Sequence, residues 1–506
     1  MTAARSSGLA TDPPPAAPAQ RRATPHHRRP TWVIAAFVVA VVLCVVLMWT
    51  LPTRELVGAI AIVLMLVLML MKLPIVFALS VPGLLGLYAI SGPRAVVNLL
   101  TDMPLSVVSS WSLSVLPMFI LMGMLLGSAG ITSRVYTAAR LWLGWLPGGL
   151  AVGTNVAGGA LAAVSGSTMG ITYALGRVGV PEMLRRQYAP KLAVGSVIVA
   201  GLPGQLIPPS TFLIIVAGIL GTAVGPQLIA GVVPGVGLVL LICASIVLYS
   251  LLFPRLAGRA PDQRAEAAKL DTGTVTLLDR VKSLGGVWPV AALFVAIFGT
   301  MIGGVLTATE AGALGAFVAV LLTIFFRRGD RPWSYIVKGA SQTVVAVGAI
   351  FFVLVGAHIL GQMIAVTGLG TAFADTILSL GLDRVGFLLV VMVAYLILGM
   401  FMDPLAILLL TLPILQPAFA SLGIDPLWFG VFAVIMGELA ILTPPVGVLT
   451  FIMHKLMQDK TLNLGHQITL KDVFVAVSMF FPALLGLVVI LVFFPDLVMW
   501  LPSLMR

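Results

Sequence analysis

The stretch AGLPGQLIPPSTFLIIVAG, from Ala200 to Gly218, sets two adjacent prolines in the middle of a strongly apolar run. Pro208 and Pro209 have no backbone N–H, and each pushes the residue before it out of helical geometry. A helix made from this stretch must break near its centre and leave carbonyl groups without helical partners. What the break means depends on the rest of the chain. Of 506 residues, 60% are hydrophobic and 9% charged, against roughly 25% charged in an ordinary soluble domain. Apolar runs recur from Thr31 to Leu501, long enough to cross a hydrocarbon core of about 30 Å. Barrel strands would alternate in polarity, and these runs do not. The chain reads as an all-α polytopic membrane protein. In such a protein, irregular backbone is tolerated at membrane depth only where it is buried in protein or lines a cavity.

The apolar segments are 31–51, 55–72, 74–91, 104–131, 148–180, 192–224 and 229–252, then 285–302, 308–326, 339–366, 385–417, 425–457 and 473–501. Suppose 148–180 and 385–417 are re-entrant hairpins that turn back without crossing. All but Arg54, Arg94, Arg384 and Arg506 of the 29 Lys and Arg then fall on one face. The positive-inside rule makes that face, and the N-terminus, cytoplasmic. Counting the hairpins as full crossings would scatter the basic loops over both faces. The resulting topology has about 11 transmembrane helices. Its parts are a disordered basic cytoplasmic tail over 1–30, an extra transmembrane helix within 31–54, a first repeat over 55–253, a cytoplasmic linker over 254–284 and a second repeat over 285–506. The run 31–51 is too long for a signal-peptide core, and no cleavage site follows it closely.

Both repeats read three helices, a hairpin, a proline-broken helix and a closing helix, and they enter the membrane from opposite sides. QLIPPSTF (205–212) in the broken helix 192–224 is answered by ILTPPVGV (441–448) in 425–457. The same offset carries Ser165 of the first hairpin to Phe401 of the second. Inverted repeats with paired broken helices mark secondary transporters, whose ion and substrate sites lie near the midplane. Carbonyls freed at the breaks can ligate a cation, and half-helix ends favour ions. Simple proline kinks are the alternative; two breaks in matching places, each after a hairpin, weigh against it.

The first hairpin tip is VSGSTMG (164–170). Gly166 permits the turn, and Ser165, Ser167 and Thr168 bring hydroxyls that serve either a ligand or helix packing. The second tip is GMFMDPLA (399–406), where Asp403 precedes Pro404. A lone ionisable group inside an apolar run is a functional candidate; an Asp there equally caps the helix that follows. Glu310 reads as local helix-start architecture. Glu438 faces a cavity or a neighbouring helix, and His358 reads as a packing histidine ahead of a proton carrier. Cys44 and Cys243 sit in apolar runs and imply neither a disulfide framework nor a metal site. No nucleophile elbow, Cys/His cluster or phosphate loop is present, so neither an enzyme's catalytic set nor ATP hydrolysis is expected. The net charge of +11 is laid out along one membrane face, and no nucleic-acid partner is implied.

LPGGLAVGTNVAGGALAAVSGSTMG, VPEMLRRQYAPKLAVGS, LIPPS, TATEAGALGA, GMFMDPLAILLLTLPILQP, GIDPLWFGV and LTPPVG occur in this order. Together they resemble the large membrane subunit (DctM-like) of tripartite ATP-independent periplasmic (TRAP) transporters, over about Glu55 to Leu501. The resemblance implies an elevator-type, sodium-driven importer of a small organic anion, such as a dicarboxylate or sugar acid, in the bacterial inner membrane. Its implied partners are a periplasmic substrate-binding protein and a small four-helix membrane subunit, expected here as a separate chain, besides membrane lipid. No cofactor beyond the coupling sodium ions is implied.

Carried over by motif, one sodium site uses Ser165, Gly166 and Ser167 near Ile207 and Pro208. The other uses Met402 and Asp403 near Thr443 and Pro444, with backbone oxygens as the main ligands. The substrate set is Ser165, Ser167, Thr168, Asp403 and Thr443. Pro203, Gln205, Met436 and Ala440 depart from the family's usual residues, as does Lys72, which reads as a lysine snorkelling to the interface. A stand-alone ion-coupled anion carrier of the same two-hairpin architecture is the alternative. A membrane-embedded enzyme or a channel stands further off.

Overall fold

The computed structural model describes residues 31–51, 53–260, 263, 276–444 and 447–505. The basic tail 1–30 and part of the central linker, 261–262 and 264–275, lie outside the described residues. Every regular element described is helical; the only strand-like feature is one isolated bridge between Tyr188 and Ala257. Among the described residues, six helices are long and apolar enough to cross a membrane, and a seventh counts if the bent pair Leu277–Leu284 and Trp288–Ile302 is one span. Helices suit the setting because they satisfy their backbone internally. Large apolar side chains remain on the outside, as at Val344 and Val345, each 71% exposed, which suits contact with lipid.

One group of helices forms a frame. The long helices Ile75–Val108 and Pro332–Thr367 pack along each other. Gly83 meets Ile359 and Leu360 there, and Gly86 meets Met363. Val115–Ser128 packs on Ala308–Phe326, with Gly315 against Met122. Small residues let backbones approach where lipid supplies no hydrophobic drive between helices. At the end of this pair, Arg327 donates to the Ser128 carbonyl from Nε (3.0 Å) and from Nη2 (2.7 Å). The first helix, Thr31–Thr50, packs on Arg54–Leu70 and buries Cys44 and Met48.

Each half then supplies a hairpin and a broken helix. The first hairpin pairs Gly149–Ser165 with Thr168–Arg185, and the second pairs Arg384–Gly399 with Pro404–Leu415. The first broken helix runs Pro190–Val199, a short tight turn Leu202–Gln205, then Thr211–Leu220. The second runs Pro426–Ala440, then resumes at Val448–Leu456. Val232–Leu252 closes the first block and Phe481–Phe493 the second. Frame and hairpin meet closely at one point: a Cβ on Gly123 of Val115–Ser128 would overlap the Val164 carbonyl at the first tip.

Several boundaries differ from those drawn on the sequence. The segments 74–91 and 104–131 are divided elsewhere: one helix runs Ile75–Val108, with a kink where Gly92 takes φ +73° before Pro93, and the next begins at Val115. The connection 132–147, between the apolar segments 104–131 and 148–180, is mostly the helix Ile131–Leu143. Arg140 on it pairs with Glu182 of the first hairpin at 2.6 Å, and the Tyr136 hydroxyl donates to the same carboxylate. The first hairpin extends to Arg185, because Pro181 is accommodated inside its second arm.

Candidate functional site

The first tip closes at Gly166, which ends one arm in the left-handed region (φ +61°) and donates its N–H to the Ala162 carbonyl at 2.7 Å. Ser167 caps the second arm, its Oγ accepting from the Gly170 N–H at 3.1 Å. Ser165 and Ser167 are exposed, and Gly166 is half-buried. The break lies against this tip. Gln205 Nε2 donates to the Gly166 carbonyl at 2.7 Å, and a Cβ on Gly201 would sit 3.0 Å from the Thr168 carbonyl. Ser210 opens Thr211–Leu220: its Oγ accepts from the Leu213 N–H and donates to the Gln205 carbonyl. Ile207 presses on Gly235, while Pro208 is buried. Among the described residues, no donor reaches the Ile207 or Pro208 carbonyl. These are the unpaired oxygens that a proline break leaves.

At the second tip, Asp403 is the N-cap of Pro404–Leu415, its Oδ1 accepting from the Ala406 N–H at 3.2 Å. Met402 is buried and Asp403 half-buried. The tip leans on the second broken helix. A Cβ on Gly399 would overlap Ala440, and one on Gly437 would lie 3.3 Å from Pro404. Thr443 is buried, with its hydroxyl 3.5 Å from the Leu439 carbonyl, and Pro444 is exposed. Asp403 and Thr443 share no hydrogen bond among the described residues. Pro445 and Val446 lie outside the described residues.

The two half-sites form one body. Thr168 Oγ1 donates to Glu438 Oε2 at 2.9 Å, joining the first hairpin to the second broken helix, and both residues are buried. Thr211–Leu220 packs on Pro426–Ala440 and on Pro404–Leu415. Gln227 Nε2 donates to the Leu427 carbonyl at 3.0 Å. Thr168, expected as a substrate hydroxyl, therefore has its proton committed to Glu438.

Cavities lie between this body and the frame, beside the place where Pro332–Thr367 packs on Pro404–Leu415. A cavity of about 490 Å³ is lined by His358, Gln362, Thr371, Pro413 and Gln416, among others. A smaller one of about 220 Å³ is lined by Ser110, Ser112 and Thr222, and His358 borders both. The His358 Nδ1 lies 2.9 Å from the Leu354 carbonyl. A carbonyl only accepts, so Nδ1 donates this bond. Reading the sequence made His358 a packing residue and passed over Gln362 and Gln416. Lipid-facing and cavity-facing residues look alike within one apolar helix, and only the polarity of these three hinted otherwise.

A sequence profile described as the tripartite ATP-independent periplasmic transporter, DctM component, matches residues 62–497. The chain belongs to this family. Among similar TRAP proteins, the C4-dicarboxylate large permease DctM of Pseudomonas aeruginosa is 31% identical, over 68% of this chain and 77% of its own. The isethionate permease DctMQ of Oleidesulfovibrio alaskensis is 30% identical over 68% of this chain and 52% of its own. The sialic acid large permease SiaM of Vibrio cholerae is 27% identical over 71% and 81%. In fold, the chain is similar to the YdaH transporter of Alcanivorax borkumensis: TM-score 0.57, 14% identity, covering 88% of this chain and 98% of that one. The chain is thus a multi-pass TRAP large permease subunit.

Proposed function

We propose that this permease imports a small organic anion, a dicarboxylate or sugar acid, by sodium symport and an elevator motion in the bacterial inner membrane. A periplasmic binding protein delivers the anion, a separate small membrane subunit completes the transporter, and the N-terminus is cytoplasmic. The observation that carries this reading is the buried Thr168–Glu438 hydrogen bond. It links the hairpin of one half to the broken helix of the other, so both tips can move together as one carrier. The unpaired Ile207 and Pro208 carbonyls and the capped Asp403 supply oxygen ligands of the kind a hard cation takes. Names of similar permeases, for C4-dicarboxylate, isethionate and sialic acid, support an organic acid as cargo. The polar wall formed by His358, Gln362 and Gln416 supplies side chains able to hydrogen-bond it.

Reconstitution in proteoliposomes tests the reading. Labelled dicarboxylate uptake is expected to need the small subunit, the binding protein and an inward sodium gradient together. Uptake by this chain alone, indifferent to a binding protein, identifies a stand-alone carrier instead. Ion current without a saturable solute identifies a channel, and chemical turnover an enzyme.

A further inference from the structure

We propose that the Gln205 carboxamide is a reversible ligand at the first hairpin tip. Its oxygen holds the coupling cation, and its nitrogen takes the cation's place on the Gly166 carbonyl when the site is empty. The proposal deepens the sodium-coupled reading above and rests on it.

Gln205 is 3% exposed, at the end of the tight turn that precedes the proline pair. Its Nε2 donates to Gly166, while its Oε1 is buried and has no partner among the described residues. A buried carbonyl left unpaired in a native fold calls for an ion or a water to explain it. Beside it, a Cβ on Gly166 would lie 3.1 Å from the Thr211 hydroxyl. The Gly166 edge of the tip borders a crevice of about 10 Å³, lined by Ser165, Pro209 and Thr211 and, on its apolar side, by Phe119 and its neighbours. That is room for about one water-sized sphere.

The two ends of an amide differ in sign at nearly the same shape. With nitrogen toward Gly166, the empty tip is held closed by one hydrogen bond. Turned about its last torsion, which has two broad wells, the amide sets oxygen against oxygen. That arrangement repels unless a cation lies between them, and with the cation present both oxygens become ligands. The side chain therefore replaces the ion on the tip when the ion leaves, and the hairpin stays pinned to the break in both states.

The test follows sodium binding to the full-length chain in lipid nanodiscs, at constant ionic strength with choline as the replacement ion. The readout is the sodium-dependent shift of the thermal unfolding midpoint. Gln205→Leu keeps the bulk and removes both polar ends, so half-saturation should need about tenfold more sodium, the loss of one good ligand. Gln205→Glu sets a permanent oxygen on the tip, so half-saturation should need less sodium than wild type, and the sodium-free protein should melt earlier. If both variants titrate like wild type, or both weaken equally, the proposal is overturned while sodium coupling stands. If the wild-type chain gains no sodium-specific stability, the proposal and the sodium reading fall together.

Discussion

The Thr168 hydroxyl donates to the Glu438 carboxylate at 2.9 Å, across two elements 270 residues apart in the chain. Glu438 is 2% exposed, and this is its side chain's one hydrogen bond among the described residues. Removing one partner of a buried hydrogen bond leaves the other polar group unsatisfied, at a cost of about 1–3 kcal/mol. Thr168→Val should cost about that much, seen as a lower unfolding midpoint of the purified chain. Glu438→Gln keeps an acceptor and should be tolerated better. In a double-mutant cycle of the two changes, additive effects would show that the pair does not couple.

Asp403 combines two roles that one substitution separates. Asn caps helices as well as Asp does, so Asp403→Asn keeps the bond to the Ala406 N–H and removes only the charge. Uptake in proteoliposomes should be lost while the unfolding midpoint is kept. Asp403→Ala should lose uptake and about 1 kcal/mol of stability as well. Wild-type uptake by the Asn variant would leave Asp403 as a cap and nothing more.

The structure places Ala440 against Gly399, where a Cβ would overlap both the Ala440 methyl and its carbonyl. Gly399→Ala should therefore destabilise by about 1–3 kcal/mol, as overpacking does. Adding Ala440→Gly should recover only part of the loss, because the carbonyl remains. Full recovery in thermal unfolding would place the whole conflict on the methyl.

His358 stands in the wall shared by two cavities, with Nε2 as its free polar atom. His358→Leu should leave the unfolding midpoint within about 1 kcal/mol of wild type, since the ring is only half-buried. Uptake at low substrate concentration should fall several-fold. Unchanged uptake at every concentration would return His358 to a packing role.

Those features that break a local rule were legible in the sequence. Paired prolines cannot continue a helix, and an Asp before a proline in an apolar run demands a cap or a ligand, so both breaks and both tips could be located from the letters alone. The bridge between Thr168 and Glu438 was not legible, because nothing local says which distant helix a buried hydroxyl will meet. The role of Gln205 was hidden for the same reason: its donor is aimed at Gly166 of the hairpin, not at its own turn. The helix Ile131–Leu143 escaped because its charged face resembles a loop until Arg140 finds Glu182. The frame kink at Gly92 needed coordinates, since Gly-Pro inside an apolar run fits a turn as well as a bent helix.

Gly123 offers the Val164 carbonyl a helix face with no side chain at the point of nearest approach. Under the elevator motion proposed above, that face is a smooth bearing: a peptide oxygen travelling along it meets no knob to climb. A methyl at position 123 would act as a detent there, so under that proposed motion Gly123→Ala slows the stroke while the grip on cargo is kept.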